Sequence, residues 1–201
     1  MAIGEATGQS GDMAAMGDKM PEGREMRLRR PVVLVGMMGS GKTAVGTALA
    51  ERLGVPFRDT DEAMVAAARM TIPEIFARDG EAFFRARETE VLRRVLSEGP
   101  GVVSTGGGAF LRPQNREAIA AAGVSVWLKV DGELLWQRVR HRSSRPLLMT
   151  DDPKGTLLAL LAERVETYAK AALVAEARAS YSIADMVERV VAVLREAEVF
   201  E

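Results

Sequence analysis

Residues 36–43 read Gly-Met-Met-Gly-Ser-Gly-Lys-Thr and fit the pattern G-x-x-x-x-G-K-[ST] of a phosphate-binding loop. In such a loop glycines let backbone N–H groups surround phosphates, Lys42 reaches the β and γ phosphates, and the Thr43 hydroxyl can bind Mg²⁺. The alternative is a glycine-rich turn without a ligand, but the apolar run Val32–Val35 before the loop and a helical pattern after it favour phosphate binding. The residues expected to contact nucleotide phosphates are Gly39, Ser40, Gly41, Lys42, Thr43 and Ala44.

Two aspartates follow the second predicted strand. Asp59 and Asp61 are two residues apart, so their side chains point the same way if the strand continues through them. Ligands of parallel sheets bind at the carboxyl ends of strands, which puts both carboxylates near the phosphate-binding loop. Asp59 is then a candidate to hold Mg²⁺ through water, and Asp61 to orient an acceptor hydroxyl as nucleophile. The alternative, that both only cap a helix or form a turn, stays open.

Three consecutive glycines at 106–108, called here the triple-glycine turn, directly follow the third predicted strand. Glycines allow the backbone to approach a ligand closely and to offer its N–H groups. A tight turn without a ligand is the alternative.

Arg85 belongs to a charged helical segment. It shares a helix face with Glu81, four residues before it, and with Glu88, three residues after it. Such pairs are ordinary on exposed helices, so the pattern by itself favours a solvated ion-pair face.

A local basic run at 138–145 leads into an aperiodic stretch. Its basic members are Arg138, Arg140, His141, Arg142 and Arg145. A nucleic-acid patch would need aromatic residues between the cations and a basic chain, and this run has no aromatic residue while the net charge is −1. We expect instead a mobile lid at about 142–153 that closes on phosphates.

From Pro31 onward, short β-branched runs alternate with long helical patterns, which is typical of βαβ units around a parallel sheet. The predicted strands are 32–35, 55–58, 102–104, 124–128 and 173–175. The predicted helices are 42–53, 61–68, 72–78, 81–97, 113–122, 132–140, 155–171 and 183–197. Residues 1–30 show no sustained period, so we expect a disordered tail before a single domain at 31–201.

The composition favours one domain that binds small molecules. The chain has 201 residues, of which 47% are hydrophobic, and this is enough for one sizeable core. The net charge of −1 argues against nucleic acid or an anionic membrane as partner, and the absence of cysteine excludes disulfides and cysteine nucleophiles. The N-terminus lacks a secretory pattern, so we expect a cytoplasmic protein, and we expect it to be monomeric.

The remaining motifs narrow the class of phosphate-binding protein. Guanine-specific switch proteins need an Asn-Lys-x-Asp motif, and the single asparagine, Asn115, is followed by Arg116. Mechanical ATPases carry a strand of four apolar residues ending in Asp, whereas Val102–Ser104 leads into Thr105 and the triple-glycine turn. A kinase that uses ATP to phosphorylate a small molecule fits better.

Taken in order, these motifs resemble the shikimate kinase family from about Pro31 to the C-terminal helix. The ordered set consists of the phosphate-binding loop, Asp-Thr-Asp at 59–61, Gly-Glu-x-x-Phe-Arg-x-x-Glu at 80–88, the triple-glycine turn, Arg-Pro-Leu-Leu at 145–148 and Arg164-x-x-x-Tyr168. The phosphate-binding loop alone is widespread, but this ordered set is not. The resemblance implies an α/β, three-layer P-loop kinase fold with a five-stranded parallel sheet flanked by helices, like nucleoside monophosphate kinases.

The resemblance also implies ATP-dependent phosphorylation of the shikimate 3-hydroxyl with Mg²⁺, in chorismate and aromatic amino acid biosynthesis. The implied shikimate contacts are Asp61, Arg85, Gly106, Gly107, Gly108 and Arg164, with the two arginines on the carboxylate. Arg145 in the lid would reach ATP phosphates, and Arg138 would lie near adenine. The implied catalytic residues are Lys42, Asp61 and Arg145, and the implied metal site is Thr43 with Asp59 acting through water.

Two residues depart from the family pattern, Ala44 where many members have a hydroxyl and Ala172 where many have Asp, and neither touches the implied acceptor site. The nearest rival is a gluconate kinase of the same fold, which does not need Arg85, Arg164 and Gly107 to converge on a carboxylate. A regulatory nucleotide-binding module without catalysis is a more distant rival, and acceptor-dependent turnover would exclude it.

Overall fold

The computed structural model of the chain describes residues 26–140 and 146–201. Its centre is a parallel sheet with strand order β2-β3-β1-β4-β5. The strands are β1 (Val32–Val35), β2 (Phe57–Asp59), β3 (Val102–Ser104), β4 (Val124–Lys129) and β5 (Leu173–Glu176). The helices within the described ranges are α1 (Lys42–Leu53), α2 (Thr60–Ala68), α3 (Ile72–Ser97), α4 (Pro113–Ala122), α5 (Gly132–Val139), α6 (Pro153–Tyr168) and α7 (Ile183–Glu196).

The central strand β1 determines where the site lies. Its four residues are completely buried, as expected for a parallel strand that is covered by helices on both faces. It pairs with β3 through Val32 and Val102 and with β4 through Val32 and Val124. The segments that leave β1, β2 and β3 therefore emerge together at the carboxyl edge of the sheet. The predicted α/β fold with five parallel strands is confirmed.

Most predicted elements match the structure, and the differences have local causes. Strand β2 occupies 57–59 and not 55–58, so Asp59 is its last residue instead of following it. The two helices predicted on either side of Gly80 are confirmed as the two halves of α3, because Gly80 has the non-helical φ 79° and ψ 173° and interrupts the helix between them. Helix α6 begins at Pro153 and ends at Tyr168, whereas the pattern predicted 155–171.

Two short regions border the core of the fold. Leu28 is buried and pairs with Phe200 in an isolated antiparallel bridge, so residues 26–30 pack on the domain although the sequence pattern placed them in the tail. The rest of the predicted tail, 1–25, lies outside the described residues. Within the predicted lid, Pro146–Leu148 form a 3-10 turn and the Asp152 side chain caps α6, while 142–145 lie outside the described residues. Among the described helices, none has the length and apolar character needed to cross a bilayer.

Candidate active site

The phosphate-binding loop connects β1 to α1. Gly41 is the N-cap of α1 and has φ 93°, a conformation that side chains with Cβ atoms rarely adopt. Lys42, the first residue of α1, is 8% exposed, and its Nζ donates to the carbonyl oxygens of Gly36 at 2.8 Å and Met37 at 3.0 Å. The lysine ammonium is thus held against the inside of its own loop, next to the N-terminus of α1 where anions bind favourably.

Asp59 contacts both α1 and α2. Its Oδ2 accepts a hydrogen bond from the Thr43 hydroxyl at 3.1 Å, and its Oδ1 accepts one from the backbone N–H of Asp61 at 2.9 Å. Asp59 is therefore the N-cap of α2, which was the helix-capping alternative. It also lies beside Thr43, as the alternative role at Mg²⁺ requires. Because Mg²⁺ binds hydroxyl, carboxylate and water oxygens, these two neighbouring side chains fit a site for that ion. The described residues contain no cluster of three His, Cys, Asp or Glu side chains that would hold a metal alone.

Asp61 lies in the first turn of α2 and faces the triple-glycine turn. A Cβ atom at Gly106 would lie only 2.7 Å from Asp61 Oδ1, so the missing side chain is what lets the carboxylate approach this backbone. Burial, together with the negative charges of Asp59 and Glu88, raises the pKa of Asp61 to about 6, against the opposing charges of Lys42 and Arg85. A carboxylate with this pKa is ionised at neutral pH and is a stronger base than an exposed aspartate.

Arg85 projects from α3 just after the kink at Gly80. Its Nη1 donates to both oxygens of Glu88, at 3.1 and 3.0 Å, and its Nε donates to Glu81 at 3.3 Å. Glu88 is only 3% exposed, and burial raises its pKa, so the pair is not the solvated one that the sequence pattern favoured. A Cβ at Gly108 would lie 2.8 Å from Arg85 Nη1, which shows that the guanidinium lies directly over the triple-glycine turn.

Arg164 lies in the last two turns of α6. Its Nε is buried and has no hydrogen-bond partner among residues 26–140 and 146–201. One helical turn later, the Tyr168 hydroxyl donates to the Gly107 carbonyl oxygen at 2.5 Å. Helix α6 is therefore tied to the triple-glycine turn at Gly107.

A cavity of about 680 Å³ is lined by the phosphate-binding loop and extends to Asp61 and the triple-glycine turn. The sequence-predicted residues along its wall are Gly39, Ser40, Gly41, Lys42, Thr43, Ala44, Asp59, Asp61, Gly106, Gly107 and Arg138. Gly108, Arg85 and Arg164 are not in this wall, although Gly108 directly follows it in the chain and Arg85 lies beside Gly108. Arg138 is half-buried near the loop, with Nη1 3.5 Å from the Ser40 carbonyl oxygen. Arg145 lies outside the described residues.

The comparisons with known proteins identify the family of this chain. The family model described as shikimate kinase matches residues 38–195. A shikimate kinase from Ruegeria pomeroyi is 56% identical over 176 residues, which cover 88% of this chain and 90% of the relative. The chain belongs to the shikimate kinase family.

Solved structures of shikimate kinases have the same fold. The structure of the Acinetobacter baumannii enzyme in complex with shikimate superposes with a TM-score of 0.77 at 36% identity, covering 84% of this chain and 94% of that one. A gluconokinase from Sinorhizobium meliloti superposes with a TM-score of 0.55 at 21% identity, over 85% and 94% of the two chains. The second likeness concerns the fold alone, so the nearest rival shares the architecture and not the family.

The structure adds residues to this shikimate kinase site that the motifs did not indicate. Tyr181, Ser182, Ile183 and Met186, just before and within the first turn of α7, also line the cavity. They follow β5 at its carboxyl end, and this position in a parallel sheet was the available clue. Glu88 was noted only as an ion-pair partner, because the sequence does not show that it is buried.

Proposed function

We propose that this member of the shikimate kinase family transfers the γ-phosphoryl group of Mg·ATP to the 3-hydroxyl of shikimate, giving shikimate 3-phosphate and ADP. The observation that carries the proposal is the position of Asp61. Its carboxylate lines the cavity beside the phosphate-binding loop, and it also faces the triple-glycine turn over which the Arg85 guanidinium lies. A hydroxyl bound to Asp61 would therefore have a phosphate site on one side and cations on the other.

On the nucleotide side, the backbone N–H groups of residues 39–44 bind the phosphates, which compensates for the hydroxyl that Ala44 lacks. Lys42 leaves the loop carbonyls to bind the β and γ phosphates. Arg138 lies near the adenine base, and it lines the same cavity as the residues at the start of α7. Arg145 of the lid acts on the transferring phosphoryl group.

Thr43 and Asp59 are the proposed Mg²⁺ site, with Asp59 acting through a bound water. Their oxygens lie 3.1 Å apart, and Asp59 is held in place by its second role as the cap of α2. When bound, Mg²⁺ would neutralise charge on the phosphates. Thr43 and Asp59 would hold the ion next to Lys42.

On the acceptor side, Arg85 and Arg164 bind the shikimate carboxylate from two directions. The hydrogen bonds that Arg85 donates to Glu88 hold its guanidinium in place, and the buried Nε of Arg164 is a donor that a carboxylate can satisfy. Backbone groups of Gly106, Gly107 and Gly108 contact the ring, and Asp61 accepts a hydrogen bond from a ring hydroxyl. With both substrates held in line, catalysis comes from positioning and from charge neutralisation, and Asp61 receives the hydroxyl proton.

A coupled assay of ADP release tests the acceptor. Mg·ATP is supplied with shikimate, with gluconate, with nucleoside monophosphates or without acceptor, and only shikimate is expected to stimulate turnover strongly. Equal stimulation by gluconate, or none by any acceptor, would remove shikimate as the substrate. Omission of Mg²⁺ in the presence of a chelator is expected to abolish the stimulated rate, and a rate independent of divalent cations would contradict the metal site.

The proposal keeps two expectations from the sequence, a monomeric enzyme and a cytoplasmic location. Light scattering coupled to size-exclusion chromatography tests the first, because a mass near 21.7 kDa is expected.

A further inference from the structure

Tyr168 is the last residue of α6 and the largest side chain that is fully buried near the site. Its ring stacks on Trp127 of β4, with ring centroids 6.1 Å apart and planes inclined by 24°. A phenylalanine would fill the same volume. The hydroxyl adds a hydrogen bond of 2.5 Å to the carbonyl oxygen of Gly107 and an interaction with the Arg164 side chain.

The hydrogen bond from Tyr168 to Gly107 joins two walls of the proposed acceptor site, helix α6 and the triple-glycine turn. Arg164 lies four residues before Tyr168, so the two side chains are on the same face of α6. Gly107 is the middle residue of the triple-glycine turn, between the glycines approached by Asp61 and by Arg85. Burial raises the pKa of the Tyr168 hydroxyl to about 12, so it stays protonated and acts as a hydrogen-bond donor across the physiological pH range.

We propose that Tyr168 is a positioning residue for the acceptor: its hydroxyl holds the Gly107 peptide against α6 and thereby sets the separation between Arg164 and the triple-glycine turn. The inference rests on the proposed function, because it concerns the site at which shikimate is proposed to bind. Tyr168 touches neither reacting group and acts through Gly107 and Arg164.

The turn has a second anchor, which makes the inference testable. Asn115 of α4 donates from Nδ2 to the carbonyl oxygen of Ala109 at 2.9 Å, and Arg116 donates to the carbonyl oxygen of Phe110 at 2.9 Å. These bonds hold the residues after the turn from the other side. Loss of the Tyr168 hydroxyl therefore loosens the turn relative to α6 without releasing it from α4.

The experiment replaces Tyr168 with Phe. The KM for shikimate is expected to rise by about tenfold, because a buried carbonyl loses its partner and the turn shifts from its binding position. The KM for ATP is expected to change by less than about twofold, because the partner of the Tyr168 hydroxyl, Gly107, belongs to the triple-glycine turn and not to the phosphate-binding loop. The matched control is Ser125→Ala. It also removes a buried hydroxyl, which accepts a hydrogen bond from the Ala172 N–H at 2.9 Å outside the site, and it is expected to lower Tm without changing either KM.

A double-mutant cycle distinguishes positioning from general loosening. Arg164→Lys and Tyr168→Phe are made singly and together, and the combined rise in the KM for shikimate is expected to be smaller than the product of the single effects. An unchanged KM for shikimate in Tyr168→Phe, an equal rise in both KM values, or a fully multiplicative double variant would each overturn the inference. The wild-type enzyme is assayed in parallel, and its failure to use shikimate would overturn the proposed function instead.

Discussion

The nucleotide end and the acceptor end of the site are built in different ways. One segment of eight residues, 36–43, supplies most of the nucleotide end, and its shape follows from the glycines and from the position between β1 and α1. The acceptor end is assembled from α2, α3, the turn after β3, and α6, which contribute residues as far apart as Asp61 and Arg164. The first is a local structure, whereas the second depends on how four elements pack.

The two ends also differ in how their charges are balanced. Lys42 is held by carbonyl groups of its own loop. Arg85 is held by the buried carboxylate of Glu88, and Asp61 has a raised pKa because of burial and neighbouring carboxylates. The stability of the folded state is therefore more sensitive to the loss of a charged group at the acceptor end, because its partners there would be left buried without compensation.

The largest effect is expected at the nucleotide end. Lys42→Ala should lower kcat by at least about 10²-fold, because the cation that neutralises the phosphates is lost, while the α/β fold is retained. Steady-state kinetics and circular dichroism provide the measurement. Lys129→Ala, which removes a half-exposed lysine paired with Glu176, is the control and should leave kcat unchanged. Full activity in Lys42→Ala would show that the loop is not the phosphate site.

Arg85→Ala should affect the acceptor alone. The KM for shikimate is expected to rise by about 10²-fold as a bidentate carboxylate partner is lost, with the KM for ATP unchanged. Arg87→Ala is a matched control, since Arg87 pairs with Glu90 at the same spacing on α3 but is half-exposed and outside the acceptor wall. If both variants raised the KM for shikimate equally, the assignment of Arg85 to the carboxylate would be wrong.

The same variant should lower stability, because Glu88 would be buried without its cation. Adding Glu88→Gln to Arg85→Ala is therefore expected to restore Tm but not the KM for shikimate. Recovery of both would mean that Arg85 serves only the fold.

The three glycines provide a smaller and more selective test. Gly108→Ala would place a methyl group 2.8 Å from Arg85 Nη1, and Gly106→Ala would place one 2.7 Å from Asp61 Oδ1. Both should raise the KM for shikimate by about tenfold through displacement of those side chains. At Gly107 the nearest atom to an added Cβ is 3.6 Å away, so Gly107→Ala should fold without displacing either group. Tm and the KM values for both substrates are measured for all three variants. If Gly107→Ala had the lowest Tm of the three, the prediction would be contradicted.

The smallest effect near neutral pH is expected from titration of Asp61. Since its pKa is about 6, kcat/KM for shikimate should halve near pH 6 and fall about tenfold per unit well below it, because the ionised form accepts the hydroxyl proton. The pKa of Asp61 in the unfolded chain is lower than in the folded protein, so ionisation of Asp61 destabilises the folded protein at pH values above the unfolded-state pKa. Asp61→Asn removes this ionisation and should therefore raise Tm at pH 7, while abolishing the pH-dependent activity. An unaltered pH profile in Asp61→Asn would assign the titration to another group.

The sequence predicted the local features well. The strands 32–35 and 102–104 and the helices 42–53 and 113–122 were predicted with the bounds that the structure has. Apolar β-branched runs, helical periodicity and Pro or Gly at helix ends determine such elements within a few residues. Where the prediction was wrong, as at β2, which occupies 57–59 and not 55–58, the extent of the strand follows its pairing with β3, from Phe57 with Val102 to Asp59 with Ser104.

By itself, then, the sequence determined the class of nucleotide site and the parallel α/β fold, and it indicated the acidic, basic and glycine residues that are proposed to surround the acceptor. Tertiary structure alone decided that Glu88 is buried beneath Arg85, that Asp59 caps a helix while contacting Thr43, and that Tyr168 reaches Gly107. The phosphate-binding loop is formed by a single short segment, so its pattern is visible in consecutive residues. Burial, pKa values and contacts between distant residues depend on how the helices pack on the sheet, and consecutive residues do not encode them directly.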